Sequence, residues 1–335
     1  MRILVRMPNW IGDAVMATPA LNNLVAHHPD ARFVLVGSPL VAEMLRPDPR
    51  FHAVLADTSK QCRSRLLGIA HLGRQLRAGY GPFDLAWSFV NSLSSRLLCA
   101  ASRARRRVAR RHGWHDVMLT DAIGLRGSPH EARAANQIVN TFLGTDYPTG
   151  PTALYVEKPE RFPRPTAGIN PGAAYGESKR WLADRFAETA RALAADHDIV
   201  LFGGPRDRQV VARIEAQLKD QGVGNVRNAV GCTMAQLLSL TAGLRLFVTN
   251  DTGPMHIAGA LAIPTVAVFG STDPARTSPW DHPHVKIVCH ALPCAPCKER
   301  ICPLKHHDCM RQIEAAEVIR AARTLAAQTA PAHSA

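Results

Sequence analysis

Eight consecutive residues, Thr249-Asn250-Asp251-Thr252-Gly253-Pro254-Met255-His256, bring an acid, hydroxyls, a glycine and an imidazole together. An apolar run over 244–248 leads in and a small-residue helical pattern over 257–262 leads out, which reads as a strand running into a helix. In open α/β sheets, ligands gather at the carboxyl ends of strands, where helix N-termini offer backbone N–H groups to anions. Gly253 lets a ligand approach the backbone, and Pro254 suits the first helical position, where no N–H is required. A phosphate-bearing ligand with the Asp251 carboxylate beside it fits this pattern. The same residues also make an ordinary capped helix start, with Asp251 or Thr252 as N-cap.

Two further strand-end loops could join that site. Asn170-Pro171-Gly172-Ala173-Ala174-Tyr175-Gly176-Glu177-Ser178-Lys179-Arg180-Trp181 ends a strand in a small-residue turn with two cations before a helix. Its backbone N–H groups and Lys179 could hold a diphosphate and stabilise it as it leaves, although a surface turn with solvated cations has the same composition. Phe202-Gly203-Gly204-Pro205-Arg206-Asp207 places an acid where a ribose diol could be bound. Near the start of the chain, Pro8-Asn9-Trp10-Ile11-Gly12-Asp13 carries one carboxylate at a helix start. Asp13 is either a first-turn acid that stabilises the helix dipole or a general base that takes a proton from a hydroxyl.

Several chemistries are poorly supported. The first loop has one glycine in place of G-x-G-x-x-G, so a dinucleotide cofactor is not expected, and no P-loop, H-E-x-x-H or Ser-His-Asp order occurs. Cys294-x-x-Cys297, Cys302, His306, His307 and Cys309 form a cluster with zinc-ligand chemistry, in a spacing that matches no named finger. Reduced, inert thiols are the competing reading, and the scattered Cys62, Cys99, Cys232 and Cys289 suit a reducing cytoplasm.

Positioning such loops requires parallel sheets. Apolar strands at 3–7, 32–37, 51–56 and 83–90 alternate with helices near 13–27 and 63–78, and a helix over 131–143 closes the first half. After a proline-rich stretch the alternation resumes: strands 167–170, 199–202, 244–248 and 265–269, with helices 181–196, 208–219, 233–241 and 255–261. Two Rossmann-like halves in tandem, 1–155 and 156–312, suit a chain of 335 residues. An amphipathic helix near 313–327 follows, and 328–335 reads as a disordered tail.

The formal charge of +13 and the block Arg103, Arg105, Arg106, Arg107, Arg110, Arg111 point to a polyanion, either nucleic acid or lipid phosphate. A solvated arginine-rich face is the bland alternative. Aromatic residues make up only 6%, and no nucleic-acid module is visible, so nucleic acid is not expected as a partner. The N-terminus lacks a secretory h-region, and the uncharged run 252–272 is broken by Gly and Pro, so no membrane span is expected.

These pieces together resemble the ADP-heptose:lipopolysaccharide heptosyltransferases of glycosyltransferase family 9, closest to the heptosyltransferase II branch. The resemblance covers nearly the whole chain. It rests on Gly12-Asp13, on Asn250 to His256, on Val268-Phe269-Gly270-Ser271-Thr272-Asp273-Pro274, and on the Cys294 to Met310 segment. It implies a GT-B fold, two Rossmann-like doubly wound domains facing across a cleft, with the last helix packing back on the first domain. The implied reaction is inverting transfer of heptose from ADP-heptose to the first heptose of the lipopolysaccharide inner core. In that resemblance Asp13 is the base and Lys179 neutralises the departing ADP. Thr252, Gly253 and Met255 offer backbone contacts to the diphosphate, Asp251 and His256 lie near the donor sugar, and Asp207 is at the ribose. No cofactor is required. The implied acceptor is Kdo/heptose-lipid A, met by a cytoplasmic enzyme at the inner face of the inner membrane, with Arg105, Arg106 and Arg107 as acceptor-binding candidates. Transferases adding the first or third heptose, other family 9 acceptors, and a GT-B sugar-nucleotide epimerase are the alternatives.

Overall fold

The computed structural model describes residues 1–127 and 129–329. The chain divides into two compact units, Met1–Tyr155 and Val156–Ala335. In chain order the first unit contains β1 (Arg2–Arg6), α1 (Ile11–Met16), α2 (Thr18–His27), β2 (Arg32–Gly37), α3 (Pro39–Leu45) and β3 (Ala53–Ala56). It continues with α4 (Arg65–Tyr80), β4 (Leu85–Ser88), α5 (Leu93–Ala101), β5 (Arg106–Arg110), β6 (Asp121–Ile123) and α6 (Glu131–Leu143). The second unit contains β7 (Thr166–Asn170), α7 (Ala183–Leu193), β8 (Asp198–Leu201), α8 (Arg208–Asp220), β9 (Val226–Asn228) and α9 (Met234–Ala242). It ends with β10 (Leu246–Asn250), α10 (Gly253–Ala260), β11 (Thr265–Val268), α11 (Pro274–Thr277), β12 (Val285–Val288), α12 (Asp308–Arg311) and α13 (Ala315–Thr329).

Among the described residues each unit holds one six-stranded sheet, ordered β3-β2-β1-β4-β5-β6 and β12-β11-β10-β7-β8-β9. Every neighbouring pair runs parallel. Central strands such as β1 and β10 are buried along nearly their whole length, as helices on both faces of a parallel sheet require. Strand order reverses between β1 and β4 and between β7 and β10, so the loops leaving those strands open at the crevice where α/β sheets take ligands.

The structure departs from the sequence reading at several elements. The arginine block is partly strand: Val108 and Ala109 of β5 are buried, while Arg106 pairs with Asp121 of β6 at 2.6 Å and lies over the Phe142 ring at 4.3 Å. Two adjacent buried residues are flanked there by arginines on both sides. The single helix expected over 13–27 is divided at Ala17, where the Thr18 hydroxyl bonds the Val15 carbonyl at 2.7 Å and Pro19 brings no N–H.

The terminal helix is also corrected. Val318, Ala322 and Leu325 of α13 are buried in the core of the second unit, packed against α7 and the sheet at β10, β11 and β12, so this helix completes the second unit. Gln328 and Thr329 continue it, and 330–335, assigned to a disordered tail, lie outside the described residues.

Candidate active site

In the second unit, β7 and β10 lie side by side with Asn170 in register with Thr249. Two buried asparagines fasten their exits together. Asn170 Nδ2 donates to Thr249 Oγ1 at 2.9 Å and Thr252 Oγ1 at 3.2 Å. Asn250 Nδ2 donates to the carbonyls of Pro171 and Gly172, and Asn250 Oδ1 accepts from the Trp181 N–H at 3.1 Å. The turn carrying Lys179 is thereby held beside the N-terminus of α10.

Lys179 Nζ donates to Asp251 Oδ2 at 2.5 Å, and the same oxygen accepts from Thr272 Oγ1, delivered from the loop after β11. Asp251 is buried, and the Lys179 ammonium also stands 4.9 Å from the centre of the Tyr175 ring. Three strand-end loops therefore meet at one carboxylate oxygen. Two donors offset its charge, so an anionic ligand can approach the α10 N-terminus without facing a bare carboxylate. Sequence reasoning placed Lys179 and Asp251 in the site but not their pairing, and it gave Thr272 no role.

Thr252 caps α10 and Gly253 opens it, half-exposed, while His256 is buried one turn on. Met255, expected to offer its backbone to the diphosphate, keeps its side chain in the core. Its side chain is packed with Ala267 and Phe269, and its N–H donates to the Thr252 carbonyl at 3.1 Å. Asp207 is engaged within the protein. Its carboxylate accepts from Arg180 Nη2 at 3.1 Å and from the Gly204 N–H at 3.0 Å, and a Cβ on Gly172 would collide with it. Nearly buried and doubly engaged, Asp207 braces the β7 and β8 loops.

The cysteine-rich segment braces the same turn. Lys298 N–H donates to the Ser271 carbonyl at 2.7 Å, Tyr175 Oη to the Lys298 carbonyl at 2.8 Å, and Ser178 N–H to the Arg300 carbonyl at 3.1 Å. A Cβ on Gly176 would run into the Arg300 carbonyl, so the turn needs glycine there for close approach. Cys294, Cys297, Cys302 and Cys309, with His306 and His307, line a cavity of about 20 Å³ whose wall includes Ser178 and Ser271. All eight cysteines are free thiols. Burial, reinforced by the neighbouring thiols Cys297, Cys302 and Cys294, pushes Cys309 up to about 11. Among the described residues no group of three or more His, Cys, Asp or Glu side chains is arranged to hold a metal ion.

In the first unit, Asp13 lies in the first turn of α1 with its side chain exposed, directly after the β1 loop. That loop is shaped by Arg6, a buried guanidinium absent from the sequence reading. Arg6 reaches Asn9 Oδ1 at 2.7 Å, Asp57 Oδ2 at 3.0 Å and the carbonyls of Met7 and Val36, while Ser38 Oγ donates to the Asn9 carbonyl. Burial lowers the Arg6 pKa, and Asp57 opposes that shift.

Arg105, Arg106 and Arg107, expected to meet an acceptor, sit at the amino end of β5, with Arg106 in register with Leu85. Asp13 follows the carboxyl end of β1, and parallel strands put those ends on opposite edges, roughly 13 Å apart along four residues of strand. Arg107 is further committed to the Met118 and Ala104 carbonyls. These three arginines do not accompany Asp13.

The family model described as "Glycosyltransferase family 9 (heptosyltransferase)" matches residues 69–307. The lipooligosaccharide heptosyltransferase 2 of Campylobacter jejuni is 30% identical, with 97% of this chain and 98% of that protein aligned. The lipopolysaccharide heptosyltransferase 2 of Escherichia coli is 29% identical, covering 84% of this chain and 86% of that protein. Among solved structures, the E. coli ADP-heptose lps heptosyltransferase II superimposes with a TM-score of 0.82 at 24% identity, over 98% of this chain and 99% of that one, which shows a shared GT-B fold. With Asp13 and the Asp251 loop on the carboxyl edges of its two sheets, this chain belongs to glycosyltransferase family 9.

Proposed function

We propose that this glycosyltransferase moves L-glycero-D-manno-heptose from ADP-heptose to the first heptose of the lipopolysaccharide inner core, with inversion at the anomeric carbon. The observation that carries the reading is the Lys179–Asp251–Thr272 junction at the N-terminus of an α10 that opens Gly253-Pro254. The N-terminus contributes fixed positive potential, and the lysine is a mobile cation poised next to it. As the glycosidic bond breaks, charge grows on the ADP phosphate, and Lys179 shifts part of its hydrogen bonding from Asp251 to that oxygen. Thr252 and Gly253 contact the diphosphate through the backbone, and His256 lies beside the donor sugar. Asp13 takes the proton from the acceptor hydroxyl as it attacks.

Leaving-group stabilisation of this kind needs no resident cofactor, so turnover is expected to survive dialysis against EDTA. The acceptor is lipid-linked Kdo/heptose, and the working place is the cytoplasmic face of the inner membrane. Among the described residues no helix is long and apolar enough to cross a membrane. The deciding assay offers ADP-heptose with acceptors bearing zero, one or two heptoses. ADP release is expected only with acceptor present, and fastest with one heptose. Product solely on a Kdo-terminated acceptor would reassign the step, and conversion of donor without any acceptor would point to an epimerase.

A further inference from the structure

The first unit exposes large apolar side chains that none of the roles above requires. Leu66 and Leu67 in the first turn of α4 are 62% and 72% exposed, and Trp114 and Val117 in the 3-10 turn after β5 are 76% and 80% exposed. Leu93, opening α5, is exposed as well. Scattered surface leucines need no explanation, but these are gathered. They come from the three segments that leave β3, β4 and β5 at the carboxyl edge of the sheet, the edge that also carries Asp13, with Val117 further along the turn that returns to β6. Arg65 Nη2 donates to Ser94 Oγ at 3.0 Å, tying the start of α4 to the start of α5. Arg96 of α5, wholly buried, holds Asp116 of the 3-10 turn at 3.1 Å.

Charge frames the patch. Lys60, Arg63, Arg111 and His112 are exposed around it, and Arg65 is half-buried. Of the acids on this edge, Asp57 and Asp116 are taken up by Arg6 and Arg96, and Asp13 is exposed. A basic rim around projecting Leu, Val and Trp side chains is the pattern of a protein that rests in the interfacial layer of an anionic bilayer, where Trp is favoured and apolar burial adds to headgroup attraction. A sugar acceptor or a nucleic acid would use the cations but would leave Leu66, Leu67 and Val117 without a partner.

We propose that this edge of the first unit is a membrane-docking surface. Leu66, Leu67, Trp114 and Val117 enter the headgroup–acyl boundary of an anionic bilayer, and Lys60, Arg63 and Arg111 lie against lipid phosphates. The proposal deepens the reading of a lipid-linked acceptor and rests on it. Docking here would bring the edge that bears Asp13 to the membrane surface.

The test compares the full chain with the combined Leu66→Ser, Leu67→Ser, Trp114→Ser, Val117→Ser variant, checked for fold by circular dichroism. Co-sedimentation uses vesicles of phosphatidylethanolamine with phosphatidylglycerol, and phosphatidylcholine vesicles as control. The unaltered chain is expected to sediment with the anionic vesicles, and the variant to bind about tenfold more weakly or worse. Turnover on a deacylated, soluble acceptor should be unchanged in the variant, while turnover on acceptor embedded in vesicles should fall. Equal vesicle binding by both chains, or none by the unaltered chain, overturns the docking surface. So does a lipid-free dimer in light scattering that the four substitutions dissolve, because a second copy would then be the occupant. Vesicle binding that responds to the substitutions, with no heptosyl transfer to any acceptor, would leave docking intact and remove the assigned reaction.

Discussion

Lys179 Nζ donates to Asp251 Oδ2 at 2.5 Å across a separation of 72 residues, and Thr272 Oγ1 donates to the same oxygen. Each residue comes from a different strand-end loop, and each loop follows one of three adjacent strands, β7, β10 and β11. The pair gives the ammonium a fixed resting place and offsets a buried carboxylate next to an anion-binding helix end.

This coupling gives a non-additive prediction. Lys179→Ala leaves the Asp251 carboxylate facing an anionic donor, so KM for ADP-heptose should rise and kcat fall, together lowering kcat/KM by about a hundredfold. Adding Asp251→Asn to that variant removes the repulsion and should recover part of the donor affinity without restoring kcat. Steady-state kinetics on the four proteins of the cycle measure the interaction. Strict additivity would mean that the two side chains act separately.

Asp13 has a different signature. Asp13→Ala should bind ADP-heptose as the unaltered chain does, by calorimetry, while kcat drops by about a hundredfold or more. Near-normal turnover would reduce Asp13 to a first-turn acid that favours the α1 dipole.

Acid stability of the first unit should report on Asp116. Burial works against its charged form, yet the N–H groups of His112 and Gly113 and the Arg96 guanidinium outweigh that and bring it down to about 2. A folded pKa below the unfolded one stabilises the fold above the unfolded value, about 3.9, and this contribution is lost as pH falls through the folded value. Asp116→Asn leaves the buried Arg96 without its charge partner and should cost on the order of 3 kcal/mol at pH 7. Thermal melts of both proteins should show that gap closing between about pH 4 and pH 2. A gap that persists unchanged at the acid end would contradict the assignment.

Thiol chemistry gives a fourth check. With its pKa pushed up to about 11 by burial and by the three neighbouring thiols, Cys309 holds roughly one thousandth of its population as thiolate at pH 8. Alkylation followed by mass spectrometry should modify the exposed Cys62 and Cys289 first, and the two buried thiols last, Cys309 and then Cys99, which burial pushes up to about 12. Fast labelling of Cys309 would refute its burial. Slow labelling of Cys294, Cys297, Cys302 and Cys309 as a set, accelerated by EDTA, would show that the four thiols hold a metal.

Local pattern alone was enough for most of the alternation of strand and helix, though not for β6, β9, β12 or α5, and for the division near 155 and the strand-to-helix transition at Asp251. Apolar runs and the Gly-Pro helix start are short-range signals, and a parallel α/β sheet reads them out directly. Strand β5 escaped because its outward positions are arginines, and neutralisation by Asp121 and stacking on Phe142 exist only once the chain is folded. Tertiary structure alone decided that Lys179 meets Asp251, that Asp207 ties Arg180 to the Gly204 turn, and that Arg6 shapes the loop before Asp13. It also decided that Arg105, Arg106 and Arg107 stand on the far edge from that acid. A residue's type states which bonds it can make, whereas strand order and direction determine which partners come within reach.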